Sequence, residues 1–138
     1  MNKNCIFCQI ANGQIEAKKL YENEEFVCFL DANPNTFGHC LVIPKAHYEN
    51  IYEIPSDVLA RLIVLVKKIA IKLKSVTKCD GMNIFQNNEL AGNQTIFHYH
   101  CHIRPRYNTD NIKPCYPTIN IEEEDKESLV EAFQDFKE

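Results

Sequence analysis

A length of 138 residues, a hydrophobic fraction of 45% and a charged fraction of 25% are those of one soluble globular domain, 1–138. A chain of this size buries roughly 70% of its unfolded surface, and no apolar run approaches the roughly 18 residues of a membrane span. The net charge of −4 gives no general attraction to nucleic acid, and Met1, Asn2, Lys3 and Asn4 lead in without a secretory apolar stretch, so a cytoplasmic location is expected.

Residues 19–22 and 25–30 are short β-prone pieces split by the turn-prone Asn23, a pattern that predicts a hairpin. Asp31, Ala32, Asn33, Pro34 and Asn35 break the regularity, and after Phe37 and Gly38 an apolar run at 39–44 predicts another strand. Over 56–74, Leu59, Leu62, Ile63, Val66, Ile69, Ala70 and Leu73 recur at helical spacing, with Arg61, Lys68 and Lys72 off the stripe. Ser56 after Pro55 is placed to cap this helix, Asp57 suits its first turn, and Lys72 and Lys74 suit its negative end. Residues 81–87 and 97–104 predict two more strands joined by a polar loop through Asn88, Glu89, Gly92 and Asn93, with Pro105 closing the second. The stretch 107–117 is polar and proline-punctuated, and 122–136 places acids first and Leu129, Val130, Ala132, Phe133 and Phe136 on a helical stripe. Strands grouped with one long central helix and a C-terminal helix, without βαβ alternation, predict an α+β fold on an antiparallel sheet.

Three of the five histidines alternate with other residues in Phe97-His98-Tyr99-His100-Cys101-His102-Ile103. In a strand, His98, His100 and His102 would line one face while Phe97, Tyr99, Cys101 and Ile103 pack behind. One strand histidine is ordinarily a satisfied core or rim residue. Sheet stability calls for no repeated imidazole, and a polar face is normally built from Thr, Ser, Lys and Glu. Imidazole serves near neutral pH as base, acid, ligand or nucleophile, so three on one face point to chemistry.

The seven cysteines are Cys5, Cys8, Cys28, Cys40, Cys79, Cys101 and Cys115, an odd number that argues against a disulfide scaffold. Cys28, Cys40 and Cys101 sit in apolar runs and read as small buried hydrophobes. Cys5 and Cys8 have the two-residue gap that lets both thiolates reach one tetrahedral ion. We take His47, after Pro44-Lys45-Ala46, and His98 to complete a structural zinc site, ahead of His39. Two alternatives stand beside this: an unligated cysteine pair on a short N-terminal helix, and a thioredoxin-like redox pair, which wants a preceding strand. The three triad histidines do not converge on one metal, because the outer pair lie roughly 13 Å apart along a strand. A catalytic zinc on His100 and His102 remains open, lacking an obvious third ligand.

From Cys5 to Tyr107 the chain resembles the histidine-triad (HIT) family of nucleotide-binding hydrolases, in particular its small Hint-like branch. The resemblance is carried by Cys5-Ile6-Phe7-Cys8, Phe29-Leu30-Asp31, Gly38-His39-Cys40-Leu41-Val42-Ile43-Pro44-Lys45-Ala46-His47, Asn87, Gln94-Thr95 and His102-Ile103-Arg104-Pro105-Arg106. It implies an α+β homodimer whose sheets join across the interface, and attack on the α-phosphorus of a purine nucleoside phosphoramidate or related nucleotidyl derivative. It makes His100 the nucleophile, with His102 and His39 hydrogen-bonding the phosphate or leaving group and Asn87, Gln94 and Thr95 donating to phosphate oxygens. Asp31 resembles the ribose-binding carboxylate, Phe7, Phe29 and Ala32 the base pocket, and Cys5, Cys8, His47 and His98 the zinc ligands. Taken singly, Asp31 is a turn acid, His39 a satisfied strand histidine, Phe29 core, and Asn87, Gln94 and Thr95 loop polarity. Their joint placement carries the functional reading. Two departures stand out: Asn93 replaces the usual glycine before Gln94, and Arg104 stands where an apolar residue is common. A nucleotide-binding regulatory or scaffold protein with incidental hydrolysis, and a nucleotidyl transferase, are the competing functions.

Overall fold

Asn23 makes the first turn. Its Oδ1 accepts the backbone N–H groups of Glu25 at 2.9 Å and Phe26 at 2.7 Å, reversing the chain between β1 (Lys19–Glu22) and β2 (Phe26–Leu30). In the computed structural model, which describes residues 2–113 and 116–138, this hairpin begins a five-stranded antiparallel sheet of order β1-β2-β3-β5-β4. The other strands are β3 (Cys40–Pro44), β4 (Gly81–Phe85) and β5 (Cys101–Arg106), and the helices are α1 (Ile6–Ala11), α2 (Ser56–Thr77) and α3 (Glu123–Ala132). The fold is α+β, as the sequence pattern predicts. Cys115 lies outside the described residues.

Strands β2 and β3 are almost continuously apolar because both faces of the sheet are covered. On one face Phe26, Cys28, Cys40, Val42, Cys101 and Ile103 meet Val58, Leu62, Val66 and Leu73 of α2. On the other, Val27, Phe29, Leu41 and Ile43 meet Phe7, Ile10 and Ala11 of α1. Strand β5 alternates between buried and half-buried residues, which turns His102, Arg104 and Arg106 away from α2. Cys28, Cys40 and Cys101 are buried, and burial pushes the Cys101 thiol up to about 12.

Several expected boundaries move. The last strand starts at Cys101 rather than Phe97, and Phe97 is exposed rather than packed behind the histidines. The ladder between β3 and β5 stops at Val42↔Cys101, and beyond it the Tyr99 N–H donates to the Tyr48 carbonyl at 2.6 Å. His98 reaches back to the Pro44 carbonyl with its ring, so a side chain takes the place of the ladder there. Pro105 lies inside β5, paired with Met82, instead of closing the strand. Its carbonyl accepts from Thr36 Oγ1 at 2.6 Å, so its hydrogen-bonding edge faces the 31–39 loop and the missing N–H costs β4 nothing.

Helix α2 runs three residues past Lys74, and Lys78 closes it in the left-handed region at φ 56°. Ser56 is its first residue rather than its cap, and no side chain caps that end. Ile63, placed on the buried stripe by its spacing, is 47% exposed. Strand β4 ends at Phe85, short of Asn87. Helix α3 covers Glu123–Ala132, so Phe133 and Phe136 of the predicted stripe fall beyond its end, and none of its residues is buried.

Candidate active site and metal centre

The cysteine pair sits where α1 begins, Cys5 just before the helix and Cys8 in its first turn. Cys5 Sγ lies 3.4 Å from His98 Nδ1, and Cys8 Sγ lies 3.3 Å from His47 Nδ1 and 3.5 Å from His98 Nδ1. One ligand atom from each of the four residues falls within 4.8 Å of the others. In a zinc tetrahedron with Zn–S about 2.3 Å and Zn–N about 2.0–2.1 Å, sulfur and nitrogen are about 3.5 Å apart, so these separations fit. His98 donates its Nε2–H to the Pro44 carbonyl at 2.8 Å, which leaves the Nδ1 lone pair facing the thiols. Burial pushes the His98 imidazole down to about 4 and the Cys8 thiol up, so the ring is neutral as a ligand must be.

His100 is oriented in the same way. Its Nδ1–H donates to the His98 carbonyl at 2.7 Å, leaving Nε2 with a free lone pair. Burial holds this imidazole below its usual range, opposed by that hydrogen bond and by Asp31. Its ring packs edge-on to Phe7 at 5.1 Å and to His102 at 5.0 Å.

The protons on His39 and His102 follow from a chain of contacts. The Asn35 N–H donates to His39 Nδ1 at 3.2 Å, so a neutral His39 carries its proton on Nε2. That Nε2–H donates to His102 Nδ1 at 3.0 Å, with Asp31 Oδ2 at 3.5 Å, and His102 keeps its own proton on Nε2. Burial first, then His100, His39 and Arg104, push His102 down to about 3. Burial also lowers His39. Asp31, His39 and His102 form a second cluster of possible ligands, but it omits His100 and a hydrogen bond already closes its two rings together.

Of the remaining predicted site residues, Asp31 is also a turn acid, accepting the Asn33 N–H at 2.9 Å. Phe7 and Phe29 meet edge to face at 5.5 Å and are buried, while Ala32 and Thr95 are exposed. Among the described residues the Asn87 side chain donates to the Asn93 carbonyl alone, at 3.4 Å. Gln94 braces its own loop instead, since its amide donates to the Glu49 and Ile96 carbonyls at 2.7 and 3.1 Å and accepts the Glu89 N–H at 2.8 Å. Both its amide protons are spent there. Asn93 adopts φ 66°, the left-handed conformation a glycine takes freely.

Three contributors lie outside the site residues that the sequence pattern assigns, although Arg104 stands out there as a departure. Phe85 stacks on His102 at 4.4 Å, and the Arg104 guanidinium lies 4.8 Å over the Phe85 ring. Arg104 also donates to Asn35 Oδ1 at 2.9 Å and Asn83 Oδ1 at 3.2 Å, which ties Asn35 in place behind His39. The Pro44 carbonyl is the third, and no side-chain pattern reports a backbone acceptor. Phe85 and Arg104 had a signal in strand alternation, since each shares a sheet face with His102.

This arrangement defines an α+β protein with a buried imidazole cluster and an adjoining Cys₂His₂ centre. The chain belongs to the histidine-triad family: a HIT domain model matches residues 12–109. It is 49% identical over 106 residues to the uncharacterized HIT-like protein MJ0866 of Methanocaldococcus jannaschii, covering 77% of this chain and 81% of that one. It is 40% identical over 110 residues to the adenylylsulfatase HINT3 of Arabidopsis thaliana, covering 80% and 56%. Among solved structures, SMU.412c of Streptococcus mutans superposes with TM-score 0.89 at 38% identity over 97% of this chain and 85% of that one. A Zn-bound histidine triad family protein of Mycobacterium smegmatis superposes with TM-score 0.76 at 35% identity over 94% and 91%.

Proposed function

We propose that residues 1–138 form a single HIT-like domain that hydrolyses purine nucleoside phosphoramidates or related nucleotidyl derivatives at the α-phosphorus. The observation that carries this reading is the free Nε2 lone pair of a buried, neutral His100, held by its Nδ1–H bond to the His98 carbonyl. Neutral imidazole attacks phosphorus without first losing a proton, so an Nε2–P bond forms as the bond to the leaving group breaks. Water then attacks the nucleotidyl-histidine and releases the nucleoside monophosphate. His102 offers its Nε2–H to a phosphate oxygen or the leaving atom, a fixed donor aimed at developing charge. His39, with both nitrogens engaged, acts through His102 as a positioning residue. Asp31 binds the ribose hydroxyls, Phe7, Phe29 and Ala32 form the base pocket, and Asn87 and Thr95 give donors to phosphate. Gln94 supports that loop from behind.

Cys5, Cys8, His47 and His98 would hold a structural zinc, which supplies a rigid cross-link between α1 and the sheet. The Zn-bound relative supports that choice of metal. Strand β4 at the sheet edge, with Ile84 46% exposed, supports a homodimer whose sheets join there. A cytoplasmic location remains the expected one. The similarity to an adenylylsulfatase supports testing sulfate beside amines as a leaving group.

Acid or base quenching during turnover of a nucleotide-labelled phosphoramidate tests the mechanism. Label is expected on the wild-type protein and absent from His100→Ala, which should lose turnover while still binding nucleoside monophosphate. Label that never attaches, or attaches equally to the variant, rules the covalent route out.

A further inference from the structure

Arg104 stands on β5 two residues past His102, where the family resemblance leads one to expect an apolar side chain. Arg61 and Arg106 each meet a carboxylate at 2.8 Å, whereas Arg104 has no ion pair among the described residues. Its Nε is buried without a hydrogen-bond partner. A buried donor left unpaired and a cation left without a counter-charge both work against stability, so packing does not account for an arginine here.

What the side chain does hold is the surroundings of His102. Its guanidinium lies 4.8 Å over the Phe85 ring, and Phe85 stacks on His102 at 4.4 Å with the two rings 7° from parallel. Its Nη1 donates to Asn35 Oδ1 at 2.9 Å and its Nη2 to Asn83 Oδ1, on the edge strand β4, at 3.2 Å. The Asn35 N–H donates to His39 Nδ1 at 3.2 Å, and the His39 Nε2–H donates to His102 Nδ1 at 3.0 Å. Arg104, Asn35, His39, His102 and Phe85 thus close a ring of contacts in which both arms leave the guanidinium and end on His102. One arm fixes which nitrogen of His102 carries the proton, and the other fixes the plane of its ring. A planar guanidinium holds two acceptors at fixed angles while packing over an aromatic ring, a geometry that the ammonium of lysine does not reproduce.

We propose that Arg104 is a positioning residue that acts through Asn35 and Phe85 to hold His102 in the orientation and tautomer from which it donates its Nε2–H. The proposal rests on the reading of His102 as the donor to the phosphate or leaving atom. Two measurements on the full chain test it in wild type, Arg104→Leu, Arg104→Lys and Asn35→Ala. One is the ring ¹⁵N–¹H correlation spectrum of histidine-labelled protein, and the other is kcat on adenosine phosphoramidate beside the Kd of adenosine monophosphate. In Arg104→Leu, kcat should fall roughly tenfold or more while Kd stays within about twofold, because the nucleophile and the ribose site are untouched. The His39 and His102 nitrogens of that variant should move to averaged shifts as tautomers exchange, where the wild type shows one protonated and one bare nitrogen on each ring. Asn35 is exposed, and Asn35→Ala keeps the backbone N–H while removing the acceptor, so it should reproduce part of both effects. Added to Arg104→Leu it should deepen the kcat loss by no more than about twofold, since both changes break the same arm. Losses that multiply would mean that the two residues act independently and would overturn the proposal. So would wild-type ring shifts or unchanged kcat in Arg104→Leu, wild-type kcat in Arg104→Lys, or a Kd that rises in step with the fall in kcat. The spectra need no turnover: a wild type that hydrolyses no phosphoramidate overturns the catalytic reading, while the ring shifts alone decide whether Arg104 fixes the His102 tautomer.

Discussion

Backbone groups assign the ring protons of His98, His100 and His39, and His39 in turn assigns that of His102. Pro44 and His98 carbonyls take ring protons, and the Asn35 N–H gives one, so tautomers are set before any ligand arrives. His102→Ala removes a fixed donor but leaves the nucleophile, and general acid–base or donor contributions of this kind are worth roughly 10²–10⁴-fold. That loss should appear in kcat with little change in monophosphate affinity, measured by single-turnover kinetics beside titration. Gln94→Ala should behave differently, because its amide satisfies three backbone groups while 1% exposed. Leaving buried partners unpaired costs roughly 1–3 kcal/mol each, so the variant should lose stability in urea, its denaturation midpoint falling whether or not nucleotide is present.

Between elements, the joints matter more than the periodicities. Gly38 turns the chain into β3 at φ 92°, and a Cβ there would lie 3.2 Å from both Pro105 Cγ and Thr77 Cγ2. Gly38→Ala combines left-handed strain with crowding, so a loss of roughly 1–3 kcal/mol is expected in denaturant melts. An Ala variant as stable as wild type would show that the 31–39 loop can shift freely beneath His39. Cys5 and Cys8 at the start of α1 face His47 and His98, and purified protein is expected to hold about one zinc per chain there. Elemental analysis checks this directly, with Cys5→Ala, Cys8→Ala expected to lose the metal and chelation to speed amide exchange in α1. The hairpin, β3 and α2 are legible in the sequence because apolar spacing and turn residues answer to local geometry. Residues 97–100 are not. Histidines alternating with apolar residues imitate a strand, but here the alternation serves a ring-to-carbonyl bond and a thiol cluster. Pro105 reads as a terminator because its partner, Thr36, lies across the fold. The helical spacing over 122–136 is legible where α3 forms, at 123–132, and fails at Phe133 and Phe136, beyond its end.

At the scale of the molecule, a site built from buried neutral imidazoles sets the response to acid. In the unfolded chain His39 and His102 take up protons near the ordinary value of about 6.5. In the folded chain His102 resists protonation down to about 3, and His39 is also lowered, because burial disfavours the charged ring. Well above pH 6.5 both states hold the same neutral rings and these groups leave stability unchanged. As pH falls below 6.5 the unfolded chain binds protons that the folded chain refuses, so stability must fall. It should keep falling toward pH 3, where His102 finally protonates in the folded state. Urea midpoints measured at pH 7.5, 6.5, 5.5 and 4.5 should therefore fall only slightly across the first pair and decline more steeply over the rest. Replacing His102 with Gln, which cannot titrate, should flatten part of that decline. A wild-type midpoint that held steady to pH 4.5 would mean the imidazoles charge as readily inside the fold as outside it, which the burial of His39 and the stacking of His102 on Phe85 oppose.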